Sequence, residues 1–296
     1  MSRFASIDLS QLPAPEVVET LEFEALLTRL KDRLTEALPE VAPVLALESE
    51  PLTKLLELLA YAELILRARV NDGAKAVMLS HAQGGDLDQL SALLGVARLT
   101  VTPADETTVP ITPAVMERDA VLRARTQLAL EGFTSAGSRG AYEFHARSAD
   151  ARVADVSVTS PEPGQVRVAI LWAGETPTPP EGLLEVVSDV LNAPDVRPLC
   201  FSTSVIAAEL VPVEVTASLQ IATGPDASAV EQAARTALER YFAATRALGA
   251  VVARSGILAA LHQPGVIAVS LTSPAADVIC TALQAPNAAA ITLELA

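Results

Sequence analysis

The chain has 296 residues, half of them hydrophobic and only 3% aromatic, so its cores are built from Ala, Leu and Val. It carries 36 acidic against 21 basic residues, a net charge of −15. That balance repels nucleic-acid phosphates and anionic lipid, which speaks against both as partners. Cys200 and Cys280 are far apart and form no C-x-x-C pair, so a reducing cytoplasm is expected. "MSRFASIDLSQLPAPEVVE" has no apolar h-region, so it does not read as a signal peptide, and no uncharged apolar run approaches the length of a membrane span.

In chain order, "EVVETLEFEALLTRLKDRLTEAL" reads as an amphipathic helix. Its stripe is Val18, Leu21, Ala25 or Leu26, Leu30 and Leu34, and Pro39 and Pro43 break it. The stretch 50–79 reads as one long helix, with Ser49 as its N-cap and Pro51 in its first turn. One stripe runs Leu52, Leu55, Leu59, Ala62, Leu66, Val70, Gly73 and Val77; Leu56, Leu58, Leu64 and Ile65 lie off it. A helix apolar over more than half its circumference packs against more than one neighbour. This one is expected at the centre of a bundle, with some neighbours from another chain. "GGDLDQLSALLGV" predicts a third helix, capped by Asp86 with Gln89 and stopped at Gly95.

Residues 99–116, "LTVTPADETTVPITPAVM", read as an extended linker, with or without a short strand. Pro103, Pro110 and Pro113 mark it as a hinge candidate. Beyond it, helices at 117–130 and 141–149 precede strands at 152–160 and 165–173, turned by "PEPG". The helix "LLEVVSDVLNA", strands across 202–222, helices at 226–248 and 254–263, and strands at 266–274 and 289–295 follow. "VSVTSP" at 156–161 echoes "VSLTSP" at 269–274, each after a short helix with a histidine, which predicts a duplicated α+β unit. The fold class is thus multidomain α+β: a helical-bundle region (1–98), the linker (99–116) and two small α+β domains (117–210 and 211–296).

Chemistry is sparse. His81, His145 and His262 have no other His or Cys within five residues, and no zinc spacing exists. "GGDLDQL" lacks the central glycine and closing glutamate of a calcium loop, and "GFTSAGSRG" has no G-K-[ST] ending. Acidic pairs such as Glu22/Glu24 read as solvated helix faces, and Trp172 as core or interface. No catalytic, cofactor or metal residue is singled out.

The residues resemble the baseplate assembly protein J family of contractile-tailed bacteriophages and R-type bacteriocins. The likeness runs through "IDLSQLPAPEVVETLEFEALL", "LALESEPLTKLLELLAYAELILRARVNDGAKAVMLSHAQGGDLDQLSALLGVARL", "RTQLALEGFTSAGSRGAYEFHARSADARVADVSVTSPEPG", "RSGILAALHQPGVIAVSLTSP" and "LQAPNAAAITL". The resemblance implies a structural, non-enzymatic wedge protein without cofactors. Two copies would join one neighbouring wedge protein of the tail protein I type through a helical bundle. Other domains would link wedges, with further baseplate proteins, into a ring that relays the trigger for sheath contraction. Assembly would take place in the bacterial cytoplasm, and the particle would carry the chain in its baseplate. Leu52, Leu55, Leu59, Leu66, Val70 and Val77 would then bear the intermolecular contact. The alternatives are a wedge-like part of a contractile secretion apparatus and a cell-wall hydrolase with a dispersed site.

Overall fold

A computed structural model describes residues 7–13, 15–134, 136–174, 176, 178–222, 224 and 226–295. The chain forms two compact units. The first comprises the chain up to Arg98 with Arg118–Thr126; the second comprises Leu99–Glu117 and the chain from Gln127 on.

The first unit is helical: α1 (Phe23–Ala37), α2 (Ala42–Leu45), α3 (Pro51–Ala76) and α4 (Gly84–Ala92). Leu26, Leu27, Leu45, Leu56 and Ala60 are buried together, with Phe23, Leu30, Leu34, Leu52 and Leu64 packed around them. The first helix starts later than its periodicity predicts. Asn71 explains this: its side chain accepts from the Glu19 N–H at 3.0 Å and donates to the Glu19 carbonyl at 2.8 Å. Both main-chain groups of Glu19 are thereby removed from helical bonding, and the chain before Glu22 stays irregular. Ser49 is not the N-cap of α3. Pro51 takes the first helical position, so the extended residue before it, Glu50, becomes the N-cap.

Asp86 does not cap α4 either. That helix begins at Gly84, whose N–H is taken by Asp119 Oδ2 at 3.0 Å, and Asp86 sits in its first turn. Gly95 does turn the chain, with φ of +73°.

Residues 99–117 fold back on themselves rather than running on as a linker. β1 (Thr100–Thr102) pairs antiparallel with β2 (Val115–Met116). At the base the Glu117 N–H donates to Leu99 O at 2.9 Å, and the buried Glu117 carboxylate accepts the Leu99 N–H at 3.1 Å. At the tip, Asp105 and Thr112 exchange two main-chain bonds, and Asp105 Oδ1 accepts from the N–H and hydroxyl of Thr107. The sequence could not reveal this closure, because it is made by main-chain pairing and by the Glu117 carboxylate across 18 residues.

α5 (Asp119–Gly132) continues from one unit into the other. Next come α6 (Arg139–Ala149), β3 (Val153–Thr159), β4 (Gln165–Trp172), α7 (Leu183–Asn192) and β5 (Ser202–Ala207). The sheet order is β3-β4-β5, with β3 antiparallel and β5 parallel to β4. α6 and α7 cover one face, where Tyr142, Ala146, Leu183, Val187 and Leu191 meet Val156, Val158, Val168, Ile170 and Trp172. Trp172 is fully buried, as its place in a strand predicts.

The remaining elements are β6 (Glu209–Ile221), α8 (Ala227–Thr245), β7 (Val251–Val252), α9 (Arg254–Leu261), β8 (Val266–Ser273), β9 (Val278–Ile279) and β10 (Gln284–Leu295). Here the order is β10-β6-β8, with β8 antiparallel and β10 parallel to β6. α8 and α9 supply Val230, Ala234, Leu238, Phe242, Ile257 and Leu261 to the core.

The two sheets share one plan: a central strand, one antiparallel edge and one parallel edge. The echo segments lie on the two antiparallel edges, β3 and β8. Yet in the first sheet the helix and edge strand precede the central strand, and in the second they follow it. A simple tandem copy would keep the order, so the six-residue echo does not mark a copy in unchanged order. The sheets also touch: Leu171, Ala208 and Ala285 are buried together, and Asp155 Oδ2 accepts the Leu248 N–H at 2.8 Å. Arg246 donates to the Trp172 carbonyl at 2.9 Å.

Candidate functional site

The side chains with catalytic potential are dispersed. His81 Nδ1 is bonded to Ser80 Oγ at 2.7 Å, and His262 is an exposed residue that ends α9. His145 is half-buried, edge-on to Phe144 with ring centroids 5.3 Å apart. Burial holds its imidazole below the ordinary value, against an opposing bond to the Gly132 main chain and the charge of Asp195. Cys200 is exposed and Cys280 is buried, where desolvation pushes its thiol up. Among the described residues no group of three or more His, Cys, Asp and Glu is placed to hold a metal. No described helix is long and apolar enough to cross a membrane.

The feature that stands out is the outer face of α3. The helix turns Thr53, Leu56, Ala60 and Asn71 inward. Glu63 joins it to α1 through an ion pair with Arg29, and Arg67 bridges Glu63 at 2.9 Å and Glu19 at 2.7 Å. The bond from Arg29, and then that from Arg67, lowers the Glu63 pKa.

The opposite side is apolar and uncovered. Leu55, Leu59, Leu66, Val70 and Val77, all singled out in the sequence, are between 50% and 70% exposed. Leu58, Tyr61 and Ile65 extend the same exposed surface. Leu52 differs: it is partly buried against the α1–α3 core. The periodic leucine stripe therefore turns away from this chain's own core. The inward face was harder to recognise in sequence, because Thr53, Ala60 and Asn71 do not read as core residues. A contiguous apolar surface of this kind marks an interaction site on a folded protein.

Pro103, Pro110 and Pro113 all lie in the hairpin: Pro103 and Pro113 on its two legs, Pro110 near its tip after a cis Val109–Pro110 peptide. No residue from 100 to 116 is buried.

Comparison with known proteins gives these features a context. Three family models match the chain in succession: the Baseplate J-like N-terminal domain at residues 48–105, the central domain at 134–207 and the C-terminal domain at 213–294. The first covers α3, α4 and the outgoing leg of the hairpin, and the other two each cover one three-stranded sheet. "Baseplate protein J" of Escherichia phage P2 is 49% identical over 284 residues, 94% of each chain. An N-terminal, a central and a C-terminal match in order, together with identity along nearly the whole length, place this chain in the Baseplate J-like family.

Proposed function

We propose that this protein is a wedge component of a contractile-tail baseplate, and that it assembles through the outer face of α3. That it is a structural component of such a baseplate, working among other baseplate proteins, follows from its family. The finer reading is that two copies join one protein of the tail protein I type, each copy contributing α3 to a shared bundle. The remaining domains then link wedges into a ring that relays the trigger for sheath contraction. Assembly takes place in the bacterial cytoplasm before the particle is released. In this reading the chain is a scaffold without catalytic duty.

The observation that carries the proposal is the exposed row Leu55, Leu59, Leu66, Val70 and Val77 on a helix already packed on its other side. Fully burying a Leu or Val is worth about 1.5–3 kcal/mol, so five half-exposed ones supply roughly half of that each. Two or three helices sharing such faces offset an association cost of about 4–15 kcal/mol.

The division into 1–98, 99–116, 117–210 and 211–296 is retained as a functional one. Pro103, Pro110 and Pro113 are proposed as a hinge segment. Because the hairpin is closed at Leu99 and Glu117, the pivot of that segment would be its base, with the three prolines carried on the piece that moves. Co-purification of this chain with its tail protein I type neighbour, and its loss on Leu59→Asp, tests the bundle. A mutant that still forms the complex would refute it.

A further inference from the structure

The two three-stranded sheets have four edge strands, and three of them are guarded in the same way. An arginine of a covering helix donates to a main-chain carbonyl of each: Arg147 of α6 to Ala154 on β3 at 3.3 Å, Arg235 of α8 to Ile291 on β10 at 3.1 Å, and Arg254 of α9 to Leu271 on β8 at 3.2 Å. Such charged guards keep an edge from pairing with another chain. β5, the fourth edge, has no side chain bonded to its main chain among the described residues. Its flank is apolar and exposed: Leu199 is fully exposed, and Phe201 partly so.

The hairpin presents the complementary problem. A two-stranded ribbon on its own is marginal in water. This one buries no residue between 100 and 116, yet shows Val101, Val109, Ile111, Val115 and Met116 to solvent. It is held in shape by its own polar bonds, so it is preorganised without a sheet to join.

Charge matches the two. Besides the buried Glu117 at its base, the hairpin carries Asp105 and Glu106 and no cation. Beside β5 stand Arg167, which faces away from the core next to Ser204 and whose guanidinium has no partner among the described residues, and Arg197, whose guanidinium reaches the Asn192 amide oxygen at 3.3 Å. We propose that the open edge of β5 receives the 99–117 hairpin of a second copy of this chain, extending its sheet across the copies.

The proposal rests on the ring reading above and deepens it. Hairpin and edge are different surfaces, so the contact is head-to-tail, the type that closes a ring when the rotation fits. Main-chain bonds would supply affinity, and Val109 and Ile111 with the acidic pair would set register.

Cys200 lies two residues before β5 and is exposed, which provides the test. Tails are assembled from a mixture of unmodified chain and a tagged Ala104→Cys, Cys200→Ser variant, then treated with a short bismaleimide. A cross-link from tagged to untagged chain through Cys200 is expected, and adding Arg167→Glu and Arg197→Glu to the untagged chain should remove most of it. Particles that assemble normally without this cross-link, or that link the hairpin to a different protein, would overturn the inference while leaving the wedge role standing. Failure of the unmodified chain to enter tails would instead sink the wedge role itself.

Discussion

The Asn71 side chain holds the main chain of Glu19 by both its N–H and its carbonyl, 52 residues away in sequence. This paired bond fixes the irregular N-terminal segment against α3. Asn71 is buried, while Glu19 is exposed and its main chain can turn to water when released. Asn71→Ala is therefore expected to lower stability by about 1 kcal/mol, the usual net worth of such bonds. Thermal unfolding measures the loss, and hydrogen exchange should show faster exchange at Glu19. Unchanged exchange there would contradict the account.

The two faces of α3 should respond differently to substitution. Leu56 is buried in the core, so Leu56→Ala is expected to cost about 2–5 kcal/mol of folding stability in the isolated chain. Leu59→Asp and Leu66→Asp lie on the exposed face and should leave the isolated chain's stability within about 0.5 kcal/mol, while abolishing partner binding. Denaturant unfolding paired with co-purification separates the effects.

Gly256 sits where α9 meets α8. A side chain there would begin within 2.4 Å of the Tyr241 hydroxyl. That hydroxyl donates to Ala253 O at 3.3 Å and accepts the Ala253 N–H at 3.2 Å, fixing the start of α9. Gly256→Leu should push the ring away and destabilise the second sheet domain by about 1–3 kcal/mol, read by thermal unfolding.

Glu143 on α6 is half-buried, and its carboxyl pKa is raised, first by desolvation and further by the charges of Asp155 and Glu131, against the opposing pull of Arg147 and Arg139. The charged form is thus favoured more in the unfolded chain, and stability is lost as pH rises from the unfolded pKa through the folded one. Glu143→Gln should raise the melting temperature at neutral pH, with the gain shrinking as the pH falls below the folded pKa. A gain that grows on acidification would show the wrong sign.

Much of the architecture was legible in sequence. The helices around Val187 and Leu238 and the strand through Val168 and Ile170 announce themselves by period, because each buries one face or both. The α3 stripe was legible as apolar, but its direction was not. Periodicity reports which residues share a face, and only the burial of Thr53 and Ala60 and the bonds of Asn71 to Glu19 show which face turns inward. Features set by distant groups escaped entirely: Asp119 capping α4, Asn71 delaying α1, and Glu117 closing the hairpin. The proposed stoichiometry and partner rest on the resemblance rather than on any residue pattern.

The most direct test of the wedge account is the mass of the complex formed when this chain is co-expressed with its tail protein I type neighbour, measured by light scattering after gel filtration. The account predicts two copies of this chain to one partner, reduced to separate species by Leu59→Asp. A well-folded monomer that ignores the partner would contradict it, and would mean that the exposed face of α3 serves some other purpose.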